Sequence, residues 1–289
     1  MENGAGKSVL HAGTEVPRVW TRGGHKSDNS DTRRQDFRQA QPTCASSEDT
    51  HAPLCFSRIA KRPRELATAA PGAGFSESPA FLNIAKDPVP PTWWEKKLFR
   101  DYDAVDYAMN FFNLPLVAYS GEIDRQKQAA DIMAQYLEKE GMRMTHVIGP
   151  QTPHRYHPDS KVEIDRRMDA ILERGRDPYP KVVKLTTFTL AYNRMKWVVI
   201  DGMSEHWERA TVIAETVNER EVKATTKGVT ALTLDFGPGG SPVGPDAKAT
   251  VRIDGQASQV NGPETDRSWR VHLRKNGVKW EQVASAEGK

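Results

Sequence analysis

Cysteine and long apolar runs are both nearly missing from this 289-residue chain. The only cysteines, Cys44 and Cys55, lie in its polar first part. Two thiols with no secretory leader read as free thiols rather than as a disulfide framework. No apolar stretch reaches the roughly 18 residues needed to span a bilayer. The amino terminus lacks the basic-then-apolar pattern of an export signal, so no localisation is assigned. An excess of one charge is also absent: 41 Lys and Arg stand against 38 Asp and Glu, a formal net charge of +3. So small an excess gives no electrostatic basis for binding nucleic acid or an anionic membrane. Apolar residues make up only 37% of the chain, which predicts that part of it joins no core.

Residues 1–63 are that part. They are rich in Gly, Ser, Thr, Asp, Arg and Gln and show no sustained periodicity, the composition of a disordered segment. Gly4-Ala5-Gly6-Lys7-Ser8 echoes a phosphate-binding loop, but the required first glycine falls at Met1 and no strand launches the loop. No nucleotide or other cofactor is expected.

Residues 64–178 read as alternating strand and helix. Glu65 to Ala70 looks like a strand that ends in a tight loop at Pro71-Gly72-Ala73-Gly74. Pro88 to Trp94 is Pro-rich and aromatic and suits a loop packed over a cleft. Leu98, Tyr102, Val105, Ala108, Met109 and Phe112 show a helical spacing with possible breaks. Leu114 to Ser120 is a short apolar run bounded by Gly121, a buried strand. After the turn Gly121-Glu122-Ile123-Asp124, a helix carries Ala129, Ile132, Met133, Tyr136 and Leu137 on one face and ends at Gly141. Thr145 to Gly149 is a second strand, and residues 161–174 form a last helix with a possible Glu163–Arg167 pair. Short connections make this α/β architecture with a right-handed crossover.

From residue 179 to 289 the pattern becomes all-β. Strand-like runs begin at Val182, Trp197, Ala210, Glu221, Ala231, Thr250, Trp269 and Trp280, separated by Asp-Gly, Lys-Gly, Pro-Gly-Gly and Asn-Gly turns. This spacing predicts an antiparallel sandwich or barrel. Trp197, Trp207, Trp269 and Trp280 are expected in its core rather than as a carbohydrate platform.

The chemistry centres on two side chains. In an open parallel sheet, function collects at the carboxyl ends of the strands. Asp124 follows one strand and His154 the next, so the two are placed to meet. A histidine working as a general base needs an acceptor for its other ring nitrogen, and the turn carboxylate supplies one. Asp124 as a cap of the following helix is the competing reading. His154 and His157, with Asp159 nearby, also have the spacing of a metal pair, but no third ligand is evident and no metal is assigned.

The wording around these residues extends the argument. Ala70-Pro71-Gly72-Ala73-Gly74-Phe75, then Pro91-Thr92-Trp93-Trp94-Glu95, Tyr119 to Ala130, and His146-Val147-Ile148-Gly149-Pro150 leading to Thr152-Pro153-His154-Arg155-Tyr156 stand in order. Over about residues 66–178 this set resembles the C-terminal part of a bacterial prolyl oligopeptidase-like (peptidase S9-type) α/β-hydrolase. Tyr192 to Trp197 and Asp266 to Trp269 resemble the β-rich extension of some large members. The resemblance implies an incomplete α/β-hydrolase-type parallel sheet followed by a sandwich-like all-β domain. It also implies catalytic roles for Asp124 and His154, and a peptide or ester substrate in the intact relative.

The nucleophile departs from the family. Its elbow reads Gly-x-Ser-x-Gly, because small neighbours permit the strained strand-to-helix turn. That motif occurs nowhere in the chain. Family spacing places the serine near Ser46, Ser47 and Asp49, where there is neither glycine nor a preceding apolar strand. The likeness begins abruptly at Leu66, as a truncation, altered reading frame or gene-model error would produce. The expectation is therefore a serine hydrolase relative, peptidase or esterase in type, that is inactive for want of its serine. The alternative is a binding protein that uses the β-rich domain to hold polysaccharide or protein. A sheet cut in this way is expected to expose an unpaired edge.

Overall fold

The computed structural model describes residues 67–286 apart from 73, 246 and 247, all within one compact unit, Pro53–Lys289. Cys44, Cys55, Ser46, Ser47, Ser57 and the Gly4–Ser8 motif lie outside the described residues. Elements follow in the order α1 (Ser78–Phe81), α2 (Trp93–Phe99), a 3₁₀ segment (Ala104–Asn113), β1 (Val117–Gly121), α3 (Lys127–Lys139), β2 (Thr145–Gly149) and α4 (Pro158–Leu172). Among the described residues, no helix is long and apolar enough to cross a membrane.

β1 and β2 pair in parallel, Val117 with Thr145 through Gly121 with Gly149. Isolated parallel bridges at Ala69–Leu116 and Gly72–Tyr119 set the preceding chain along the other side of β1, where a continuous strand was expected. All of β1 is buried, as a parallel strand covered on both faces must be. Its side chains alternate. Ala118 joins a core with Ala130, Met133 and Leu137 of α3, while Val117 and Tyr119 join one with Ile164, Met168 and Ile171 of α4. The apolar face expected for α3 is the face it buries, and Gly141 ends it at φ +76°. α4 begins earlier than expected, at Pro158, because proline fits the first helical turn. Arg166 and Arg167 both bind Glu163 on its exposed side.

One reading changes and another is sharpened between Phe81 and Asn113. Pro88 to Trp94 does not close over a cleft: Thr92 and Glu95 form a reciprocal capping box that starts α2, leaving Trp93 72% and Trp94 43% exposed. The helical spacing over Leu98 to Phe112, read with possible breaks, does break. α2 ends at Phe99, and the 3₁₀ segment begins after Asp103, whose carboxylate accepts 2.6 Å bonds from both the backbone N–H and the hydroxyl of Ser78.

Burial pushes the Asp103 carboxyl up to about 7 against the opposing Ser78 bonds, with Asp106 and Glu77 adding repulsion. Its folded value lies above the unfolded one, so stability present at low pH is lost as pH rises from about 4 through 7. The whole shift corresponds to on the order of 4 kcal/mol. Asp103→Asn is expected to flatten the fall in stability between pH 5 and pH 8, read from urea midpoints. Equal pH dependence in both proteins would assign the effect elsewhere.

The remaining chain forms β3 (Val182–Thr187), β4 (Arg194–Met195), β5 (Val198–Met203), β6 (Ala210–Asn218), β7 (Glu221–Lys227), β8 (Val229–Phe236), β9 (Ala249–Ile253), β10 (Gln256–Val260), β11 (Trp269–Asn276) and β12 (Lys279–Val283). They build two five-stranded sheets, ordered β10-β9-β7-β6-β3 and β12-β11-β8-β5-β4, antiparallel except for β7–β9. One core joins the sheets. Leu185, Val212, Val222 and Val251 of the first meet Ile200, Leu232, Phe236 and Val271 of the second. The fold as a whole is strand-rich α/β.

Asp254-Gly255 and Asn276-Gly277 turn the β9–β10 and β11–β12 hairpins, while Lys227-Gly228 turns the chain from β7 into β8 of the other sheet, each glycine at positive φ. Asp201-Gly202 instead lies inside β5, where the register shifts against β8. β4 is too short to detect by alternation, and β10 is too polar. Three of the four tryptophans are core: Trp197 stacks on Phe236 at 4.7 Å, Trp269 lies 5.7 Å from the same ring, and Trp280 is 4% exposed. Trp207 packs with the α3-side core instead.

The two halves meet along β3, an edge strand. Asn110 and Asn113 lie one turn apart in the 3₁₀ segment, where side chains three residues apart eclipse. Asn110 donates to Thr186 O at 3.0 Å and accepts from Thr186 N at 2.7 Å. Asn113 donates to Val182 O at 2.8 Å and accepts from Lys184 N at 2.9 Å. Two side-chain amides thus stand in for a neighbouring strand and seal this edge.

Candidate active site

Asp124 and His154 meet at the carboxyl ends of β1 and β2. His154 Nδ1 lies 3.0 Å from Asp124 Oδ2, the carboxylate side chain 3% exposed and the imidazole side chain 61% exposed. The competing reading of Asp124 as the helix cap does not hold, because Gln126 is the N-cap of α3 and no side chain caps it. Asp124 Oδ1 accepts from Gln126 N at 2.9 Å and holds the turn into α3, leaving Oδ2 for the histidine. One buried carboxylate therefore fixes both the helix entry and the ring.

The histidine loop crosses directly over the end of β1. Ile123 N bonds to Thr152 O at 3.2 Å and Glu122 N to Gly149 O at 2.8 Å. A Cβ on Gly121 would fall on the carbonyl oxygens of Thr152 and Pro153, so only glycine lets the loop approach this closely. Glu122 accepts from both the backbone and the side-chain amide of Gln151, at 2.8 and 3.1 Å. Beyond His154, Tyr119 Oη donates to Arg155 O and accepts from His157 N, each at 2.8 Å, while the Tyr119 and Tyr156 rings stack at 4.6 Å. The same hydroxyl occupies the space a Cβ on Gly149 would need.

Gly121, Glu122, Tyr119 and Tyr156 are thus positioning residues that the motif reading passed over. The alternation of β1 carried a signal for one of them, since it sends Tyr119 to the α4 face, under the loop.

With Asp124 accepting at Nδ1, the ring proton sits on that nitrogen and Nε2 presents a lone pair. This is the arrangement of a general base. Among the described residues, no hydroxyl or thiol hydrogen-bonds to Nε2. His157 has a different place, at the start of α4, with its own Nδ1 buried and without a hydrogen-bond partner. Among the described residues, no three His, Cys, Asp or Glu side chains converge as a metal site.

A second serine–histidine–carboxylate line lies on the other face of β1. Ser120 Oγ is 3.0 Å from His146 Nε2, and His146 Nδ1 is 4.0 Å from Asp131 Oδ1. Ser120 is completely buried within the strand, which denies a substrate carbonyl any approach to its hydroxyl. Comparison with family models, with curated proteins and with solved structures returned no match.

Proposed function

We propose that this chain carries the acid–histidine half of a serine-hydrolase site, of the prolyl oligopeptidase-like α/β-hydrolase type, and lacks its nucleophile. The observation that carries the reading is the 3.0 Å bond from His154 Nδ1 to a buried Asp124 at the ends of adjacent parallel strands. In an intact relative, His154 would take the proton of an attacking serine at Nε2 and return it to the leaving group. Asp124 would hold the ring and stabilise the imidazolium, and backbone amides would bind the oxyanion. Without the serine, the chain turns over neither peptides nor esters.

The rival reading is a non-catalytic protein in which the sandwich binds a partner and the α/β part is scaffold. A polysaccharide platform finds little support in the tryptophans, since Trp197, Trp269 and Trp280 are interior. Two measurements on the full chain separate the readings. Nitrogen-detected NMR of the histidines is expected to show His154 as the Nδ1–H tautomer, and Asp124→Ala is expected to abolish that preference. A tautomer indifferent to Asp124 would remove the catalytic basis. A fluorophosphonate probe is expected to leave the chain unlabelled. Labelling that vanishes in His154→Ala would overturn the inactive reading in favour of a complete hydrolase.

A further inference from the structure

The buried Ser120–His146–Asp131 line has the composition of a catalytic triad without its access, so its chemistry must be internal. The parallel register opposes Ala118 to His146 and Ser120 to Ile148, which puts Ser120 and His146 on the same face as diagonal neighbours. That face lies under α3, and the His146 side chain is only 16% exposed.

The Asp131 carboxylate, 4.0 Å from Nδ1 and beyond hydrogen-bond reach, favours the proton on that nitrogen of the neutral ring, which leaves Nε2 to accept from the Ser120 hydroxyl at 3.0 Å. A second proton reverses the Ser120 bond: Nε2 becomes a donor, and a hydroxyl with no access to water must turn round to accept. The charged groups facing the ring are Asp131 and Lys127, both from α3, while β1 brings only the neutral hydroxyl. The charge on Asp131 is already engaged, because Lys127 Nζ lies 2.8 Å from both its oxygens.

We propose that His146 is a proton-sensitive latch that holds β1, β2 and α3 together when neutral and releases them in mildly acid solution. Its position gives the latch a consequence. Ser120 immediately precedes Gly121, and α3 leads directly out of the Asp124 turn, so the latch lies at the root of the Asp124–His154 pair. Burial lowers the His146 pKa below its ordinary value, with Asp131 opposing and Lys127 assisting. A depressed folded value means that stability present above the unfolded pKa is lost as pH falls through the folded one. The proposal does not depend on the hydrolase reading.

The test is an NMR titration of the histidines in the full chain, paired with amide exchange at pH 7.5 and pH 5. His146 is expected to titrate below an ordinary imidazole. Amides of β1 and α3 are expected to open more readily at pH 5 after correction for intrinsic exchange. Ser120→Ala removes a donor to the neutral ring and little volume. It is expected to move the His146 midpoint upward and to shrink the acid-induced opening. A His146 midpoint at or above the ordinary value, or one that Ser120→Ala leaves in place, would overturn the latch. Neither readout uses a probe or a substrate, so failure here leaves the Asp124–His154 reading standing.

Discussion

Gly121→Ala is expected to part His154 from Asp124 without touching either residue. The added methyl would occupy the positions of two backbone carbonyl oxygens, those of Thr152 and Pro153. Carbonyls in a loop bound on both sides cannot rotate away as a flexible side-chain end can. The loop must lift, and with it the backbone bond from Ile123 N to Thr152 O. Overpacking of this kind destabilises by about 1–3 kcal/mol. The specific signature lies at the site: the His154 Nδ1–H tautomer preference is lost in the variant while the sandwich core remains folded. A crystal structure of Gly121→Ala with the 3.0 Å bond intact would show that the loop yields elsewhere.

Asn110→Ala is expected to be among the most destabilising single changes in the chain. Asn110 is 1% exposed, and its amide serves both the N–H and the carbonyl of Thr186. Truncation leaves two buried backbone groups without partners, at about 1–3 kcal/mol each. The expected loss is therefore about 2–5 kcal/mol in urea denaturation. Asn110→Asp keeps an acceptor for Thr186 N but sets a buried carboxylate against Thr186 O, and is expected to be at least as destabilising at neutral pH. Adding Asn113→Ala removes the other amide bonds from the outer edge of β3, which stays paired with β6, and exposes an edge able to pair with another copy, visible as concentration-dependent association. A loss below about 1 kcal/mol for Asn110→Ala would mean that water replaces the amide at this edge.

These two residues show how unevenly the sequence could be read. Strands and helices with strong periodicity were legible: the α3 stripe, the apolar β1 run and most sandwich strands announce themselves through spacing alone. The split between α2 and the 3₁₀ segment was legible only as a possible break, and its position was not. At the break, the Asp103 carboxylate accepts two long-range bonds from Ser78. The capping box Thr92–Glu95 was legible, but the prolines before it favoured a loop. The asparagines gave no signal, since a polar residue inside an apolar stripe looks like a flaw until the strand it serves is known.

The candidate site divides in the same way. Sequence order placed Asp124 after one strand and His154 after the next, and strand polarity brought the two to one end of the sheet. The sequence by itself determined β1, α3, β2 and most sandwich strands, their succession, the all-β character beyond residue 179 and the order of this pair. Tertiary structure decided how the pair is held. It buried the carboxylate, left the ring open at Nε2, and set Gly121 and Tyr119 as the mould for the loop. It also closed Ser120 and His146 beneath α3, turning the elements of a triad into an interior contact. The physical reason is that periodicity records which side of an element meets the core, whereas access and hydrogen-bond partners arise only where distant segments cross.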